Sequence, residues 1–320
     1  MRGIRLLIVT AALCQLPFAA AAQERHAVLV FGAPGGEPYA AAYARWQEAL
    51  VTSLRDRVGF APERIFVLAP ADADATRIST RENVRRLFST LRSSIGTDDL
   101  VLVLLVGHGT LDGDSAKFNL VGPDLESGEW GELLDRLPGR LVFVNSTGGS
   151  FPFLERLARP NRVVVTATDS SAQRFDTVFP EHLVTALQDP ATDVDRNRRI
   201  SLWELFAQTS AAVRQHYEQR GQLATERALL DDNGDGQGQE AGAPGQDGAL
   251  ARTTYLDPDP VRAGGDPVLA DLLARQRSLE QRAEALKLRK PSMAPDEWAR
   301  EFERLMIELA RVSHAIRSRS

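Results

Sequence analysis

Short apolar runs alternating with amphipathic stretches predict an α/β fold. The expected architecture is a mostly parallel open sheet flanked by helices, plus a C-terminal helical hairpin. Three observations carry this. The run Asp99 to Val106 (DLVLVLLV) is apolar on both faces, as a strand buried inside a parallel sheet must be. Further strand-like runs recur along the first half with helical periodicity between them. The last fifty or so residues carry leucines seven apart, a helical spacing.

Residues 1–22 read as a secretory signal peptide. Arg2 and Arg5 form a positive start, Leu6 to Leu13 begin an apolar stretch, and Ala20-Ala21-Ala22 before Gln23 is a small-residue cleavage site. Gln15 and Pro17 interrupt the stretch, which is too short for a membrane span. The single cysteine, Cys14, falls inside it, so cleavage would leave roughly 300 residues with no thiol and no disulfide. A lipoprotein reading would make Cys14 the lipid acceptor, but Leu13 stands where a small residue is expected. Export to a periplasm or the medium is the expectation. No later segment is apolar for long enough to span a bilayer. The whole chain has a formal charge of −5, and losing Arg2 and Arg5 makes it more negative. That leaves no electrostatic footprint for nucleic acid.

The elements follow in order. Val28 to Phe31 is a strand ending at Gly32. Tyr39 to Val58 is a helix by the spacing of Tyr43, Trp46, Leu50 and Leu54. Arg64 to Ala69 is the second strand. Ser79 or Thr80 caps a helix running to about Ser94. Asp99 to Val106, Leu141 to Val144 and Arg162 to Thr166 are the third, fourth and fifth strands. From Ala241 to Asp266 glycine and proline become frequent, with Asp257-Pro258 and Asp259-Pro260, which predicts a linker over residues 241–266. Residues 267–320 then read as a helical hairpin or short coiled coil. One stripe is Leu272, Leu279 and Leu286. After Pro291 and Pro295 a second runs through Trp298, Phe302, Leu305, Leu309, Val312 and Ile316. It either packs on the main domain or offers a surface for a protein partner or self-association.

In open α/β sheets functional loops lie at the carboxyl ends of the strands. The third strand ends in Val106-Gly107-His108-Gly109, whose glycines allow a tight turn. The fourth ends in Asn145-Ser146-Thr147-Gly148-Gly149-Ser150-Phe151, a turn into a helix. A histidine and a hydroxyl on neighbouring strand ends can make a base and a nucleophile. His108 can equally be a structural turn residue, and the hydroxyls can serve to cap the helix at Ser150.

The order strand, Gly-His-Gly, strand, small-residue turn resembles the caspase/legumain (hemoglobinase-fold) peptidase superfamily, in particular its bacterial legumain-like branch. Phe118-Asn119-Leu120-Val121-Gly122-Pro123-Asp124 is similar to the segment after that family's catalytic histidine. Val164-Val165-Thr166-Ala167-Thr168 is similar to its fifth strand, and Phe179 with Ala186-Leu187 to the helix that follows. The resemblance covers about residues 26–240 and implies a domain over 23–240. It makes His108 the counterpart of the catalytic histidine. Thr147, give or take one residue, stands where the family has its cysteine. A cysteine is partly thiolate near neutral pH, whereas a threonine hydroxyl keeps its proton and needs a close, oriented base.

Three functions follow as expectations. The first is an exported pseudopeptidase that binds or scaffolds, taking a peptide or protein ligand in the strand-end cleft. The alternative is an active peptidase or acyl hydrolase using His108 with Ser146, Thr147 or Ser150. In either case the rim would be Gly109, Gly148, Gly149, Asp169 and Ser170. The amides of Gly148 and Gly149 suit a carboxylate or carbonyl oxygen, and Asp169 a basic group. The third is a calcium-stabilised envelope protein with no cleft function. No organic cofactor is expected. Asp193, Asp195, Asn197 and Glu204 fall at positions one, three, five and twelve of an EF-type loop, with Arg198 where glycine normally stands. The same stretch reads as a loop capping a helix from Ser201, with Glu204 completing a capping box. Asp231 to Gly236 (DDNGDG) also begins like a calcium loop but has Gly242 in twelfth place, and otherwise reads as a flexible turn.

Overall fold

A computed structural model describes residues 23–112, 115–173, 175–243, 245–261 and 266–319. The expected signal peptide, with Cys14, lies outside the described residues.

In chain order the elements begin with β1 (Arg25–Phe31), α1 (Glu37–Thr52), β2 (Ile65–Leu68), α2 (Arg81–Ser94) and β3 (Leu100–Val106). Three short strands follow, β4 (Gly109–Asp112), β5 (Ser115–Phe118) and β6 (Leu125–Glu126). Then come α3 (Ser127–Leu134), β7 (Arg140–Asn145), α4 (Phe151–Leu157), β8 (Arg162–Thr166), α5 (Phe179–Gln188), α6 (Leu202–Gln219) and β9 (Leu229–Asp231). The chain closes with α7 (Ala249–Thr253), α8 (Pro267–Arg289) and α9 (Pro295–Arg317).

The fold is the expected α/β arrangement. Six strands run in the order β2-β1-β3-β7-β8-β9, and every neighbouring pair is parallel except β8–β9. Side chains alternate between the faces. Leu100, Leu102 and Leu104 pack under α1, α5 and α6, while Val101, Val103 and Leu105 pack under α2, α3 and α4. Both faces being buried is why β3 has no polar position. Thr80 caps α2 by accepting the Asn83 amide, one of the two caps the sequence offered. No helix among the described residues is long and apolar enough to cross a membrane.

Two regions differ from expectation. The stretch read as a linker carries α7, and Leu250, Ala251 and Leu256 are buried in the sheet's core. Its glycines and prolines shape turns between packed side chains. The DDNGDG turn follows a strand: β9 pairs antiparallel with β8 at the sheet edge. Both oxygens of Asp231 are spent on backbone, accepting the Gly234 amide at 3.0 Å and the Gly236 amide at 2.6 Å. The terminal helices form a hairpin with a core of its own around Leu279, Leu286, Leu305 and Val312. α8 also packs along α7.

Candidate functional site

The parallel order sets the carboxyl ends of β3 and β7 side by side, so His108 and the Ser146–Gly149 turn share one edge of the sheet. Glycine is required on both sides of the histidine by close approach. A Cβ on Gly107 would meet the backbone of Gly32 at 3.1 Å, and one on Gly109 would overlap the Gly148 carbonyl oxygen and reach Thr147 Oγ1 at 2.7 Å.

Both ring nitrogens of the histidine face acceptor oxygens, and neither faces a hydroxyl of the turn. His108 Nδ1 lies 2.9 Å from Asp176 Oδ1, and Nε2 lies 3.0 Å from the Pro34 carbonyl oxygen. Asp176 Oδ2 accepts the Tyr39 hydroxyl. Tyr39 meets the imidazole edge-on, with ring centroids 4.6 Å apart. The Asp176 carboxylate raises the Tyr39 pKa, and burial pushes Tyr43, packed behind it, further upward. Three loops are thus tied at one point: the β1–α1 loop, the Gly-His-Gly turn and the loop after β8.

The hydroxyls are buried and turned inward. Ser146 Oγ donates to the Leu105 carbonyl at 2.6 Å. Thr147 Oγ1 donates to Asn145 Oδ1 at 2.8 Å, and the Thr147 amide donates to the same oxygen at 3.1 Å. Both side chains are 0% exposed. Ser150 Oγ pairs with Thr168 Oγ1 at 3.0 Å. The expected cap on α4 comes from Thr168 rather than Ser150: Thr168 Oγ1 accepts the Phe151 amide at 3.0 Å.

The rim is likewise closed. Gly148 and Gly149 are buried, and the Gly149 amide donates to the Gln173 carbonyl at 2.7 Å. The Leu111 side chain on β4 lies against Gly149. Asp169 is not free for a basic group, because it pairs with Arg227 at 2.5 Å. Ser170 closes a turn by accepting the Gln173 amide at 3.3 Å. Beyond it, Phe175 stands 84% exposed beside Asp176.

Sequence reasoning missed the residues that hold this loop. Glu226, almost fully buried, accepts the Val178 and Phe179 amides at 2.8 Å each and so caps α5. Burial pushes its carboxyl up to about 7, against the pull of those bonds. Thr177 Oγ1 donates to the Ser146 carbonyl. Asp176, Asn145 and Tyr39 were also missed. The rule of strand-end loops pointed to the right loop, but no local spacing marks Asp176, which lies 68 positions from His108.

The acidic loop before α6 gathers Asp193, Asp195 and Glu204, with one oxygen of each within 4.8 Å of the others. Arg198 adopts a left-handed φ of 69°, the conformation for which such loops normally use glycine. Asn197 adjoins the group, but its Nδ2 donates to Asp195 and its Oδ1 accepts the Arg199 amide. Burial raises the Asp195 pKa, and the Glu204 and Asp193 charges add to that. The capping box is also present. Ser201 Oγ accepts the Glu204 amide at 3.2 Å, and Glu204 Oε2 accepts the Ser201 amide at 2.9 Å. Three carboxylate oxygens at this spacing have the chemistry for a hard cation.

No protein-family model matches the sequence, and no curated protein matches it. Among solved structures, the chain is similar to protein GSU0716 from Geobacter sulfurreducens, at 13% identity and a TM-score of 0.40, over 65% of this chain and 92% of that one. It is also similar to a secreted C11 cysteine protease from Bacteroides thetaiotaomicron crystallised with an irreversible peptide inhibitor. That match has 10% identity and a TM-score of 0.40, over 66% of each chain.

Proposed function

We propose that the protein is an exported caspase/legumain-like domain without peptidase activity that serves as a binding module. One observation carries this reading. The two ring nitrogens of His108 face Asp176 and Pro34, away from the turn, while the hydroxyls of Ser146 and Thr147 donate to Leu105 and Asn145. A hydroxyl nucleophile needs a base within hydrogen-bond reach and access to substrate. Thr147 and Ser146 have neither. The superfamily assignment rests on the sequence resemblance, whose histidine and small-residue turn lie at adjoining strand ends of a parallel sheet.

Binding would then use the rim rather than the buried turn. Phe175 and the partly exposed Tyr39 offer aromatic surface on loops tied together by the histidine clasp. This suits a peptide or protein ligand, because exposed aromatic groups supply contact area at small entropic cost. The terminal hairpin is a second partner surface, with Met306 and Ile307 exposed on α9. The loop of Asp193, Asp195 and Glu204 takes a calcium ion in a structural role.

The His108–Asp176 pair also favours a second reading. A carboxylate on Nδ1 is how a catalytic imidazole is oriented, so half of a hydrolase relay is built. Cleavage profiling of the processed protein with peptide libraries, beside Thr147→Cys, tests both. No cleavage by the wild type is expected. Cleavage by Thr147→Cys alone would mark a disarmed site, in keeping with the pseudopeptidase reading. Wild-type hydrolysis that disappears in His108→Ala would replace that reading with the second.

A further inference from the structure

At the opposite end of the sheet, where the strands begin, β1, β7, the segment after α7 and α8 enclose a cavity of about 100 Å³. One water needs roughly 10–15 Å³ of such space, so the cavity admits a molecule of several heavy atoms. Four arginines and four carboxylates line it, so its formal charge is balanced. The charges nevertheless do not pair off.

Asp259 takes two guanidinium groups, Arg199 at 2.9 Å and Arg277 at 3.7 Å. Arg199 lies over the Tyr255 ring, 3.9 Å from its centroid, and its guanidinium lines the cavity. Arg140, at the start of β7, reaches the side-chain oxygen of Gln23 and makes no ion pair among the described residues. On the acidic side, Glu280 accepts from Gln276 at 3.0 Å and has no cationic partner at ion-pair distance among the described residues, while Asp98 stands exposed at the mouth. Asp257 accepts the Ile200 amide. Arg25, the fourth arginine, donates to the Val58 and Leu256 carbonyls. Unmatched donors and acceptors in a confined space cost free energy unless something meets them.

We propose that this cavity binds a small zwitterion of the amino-acid type. Its carboxylate would be held by Arg140 and Arg199, and its ammonium by Glu280, with Asp98 at the exposed mouth. Balanced lining charge gives a simple anion or cation no net attraction. A molecule carrying both signs meets both sets of unspent groups at once.

Calorimetric titration and thermal melting of the processed full chain test this, with glycine, acetate, methylamine and inorganic phosphate as probes. Glycine is expected to bind saturably and to raise the melting temperature as its concentration passes Kd. Acetate, methylamine and phosphate should each bind at least about tenfold more weakly. Glu280→Gln and Arg140→Gln should each weaken glycine by about tenfold or more. Should Arg140→Gln fail to fold, Glu280→Gln decides alone, its fold checked by its melting temperature without ligand. No glycine binding would overturn the proposal, as would acetate or phosphate binding as tightly as glycine, or glycine affinity untouched in Glu280→Gln.

Discussion

The two ends of the central sheet spend their polar groups differently. At the carboxyl ends of the strands, where the sequence places a catalytic pair, the histidine and the hydroxyls are engaged by their own chain, and the buried Asn145 Nδ2 and Gln173 Oε1 are the polar atoms left without a partner among the described residues. His108 holds Asp176 and Pro34, Thr147 holds Asn145, Asp169 holds Arg227, and Gly149 holds Gln173. At the amino ends, Arg140 and Glu280 line a cavity and make no ion pair among the described residues. A closed network rigidifies a scaffold, whereas an open one invites a ligand. On this comparison, the edge that resembles an active site acts as a clasp, and the edge that resembles nothing has the unspent chemistry.

The largest expected effect concerns the anchor of the clasp loop. Glu226 titrates at about 7 in the folded protein, against 4.5 for a free glutamate, and Asp247 is likewise raised to about 7 by burial. The folded state therefore binds these protons more tightly than the unfolded chain. The resulting stability is complete below about pH 4.5 and is lost as the pH rises through 7. For Glu226 alone this amounts to about 3 kcal/mol. Urea unfolding at a series of pH values should show the decline, and Glu226→Gln should shrink it to the share of Asp247. An unchanged pH profile in that variant would break the link between this carboxyl and the loop.

A smaller effect is expected from opening the clasp itself. His108→Ala should cost about 1–2 kcal/mol and speed amide exchange in the loop after β8, because Asp176 and Tyr39 lose their common partner. Thr147→Val, which removes only a buried hydroxyl, should cost about 1 kcal/mol and leave exchange in that loop unchanged. Equal exchange in the two variants would show that His108 does not tie the loops together.

The smallest effect belongs to the acidic loop. Calcium should raise the melting temperature by a few degrees in the wild type and not in Asp195→Asn. A melting temperature indifferent to calcium and to chelator would leave the capping box as the whole role of Glu204.

What the sequence made legible was local. The central strands declared themselves by unbroken apolar runs, and Thr80 and the Ser201–Glu204 box by their spacing from the helices they start. The three short strands after His108 stayed hidden, because four-residue runs with mixed burial carry no clear period. β9 was hidden by the glycine-rich turn behind it. Gly-His-Gly located the histidine, but its use depends on Asp176 and Pro34, 68 and 74 positions away. Asp169 read as an available charge because Arg227, its partner, belongs to a segment that only the fold brings near. The stretch from Ala241 to Asp266 misled by composition: turn residues were counted, while Leu250 and Leu256, which anchor it, were too few to form a pattern.

Mass spectrometry with peptide mapping of residues 23–320, after exposure to a panel of peptide acyl electrophiles, goes straight to whether anything at the β7 turn can attack. No acyl group mapped to the β7 turn is the result expected of a hydroxyl buried against Asn145 with its histidine turned elsewhere. An acyl group mapped to Ser146 or Thr147, and lost in His108→Ala, would contradict it.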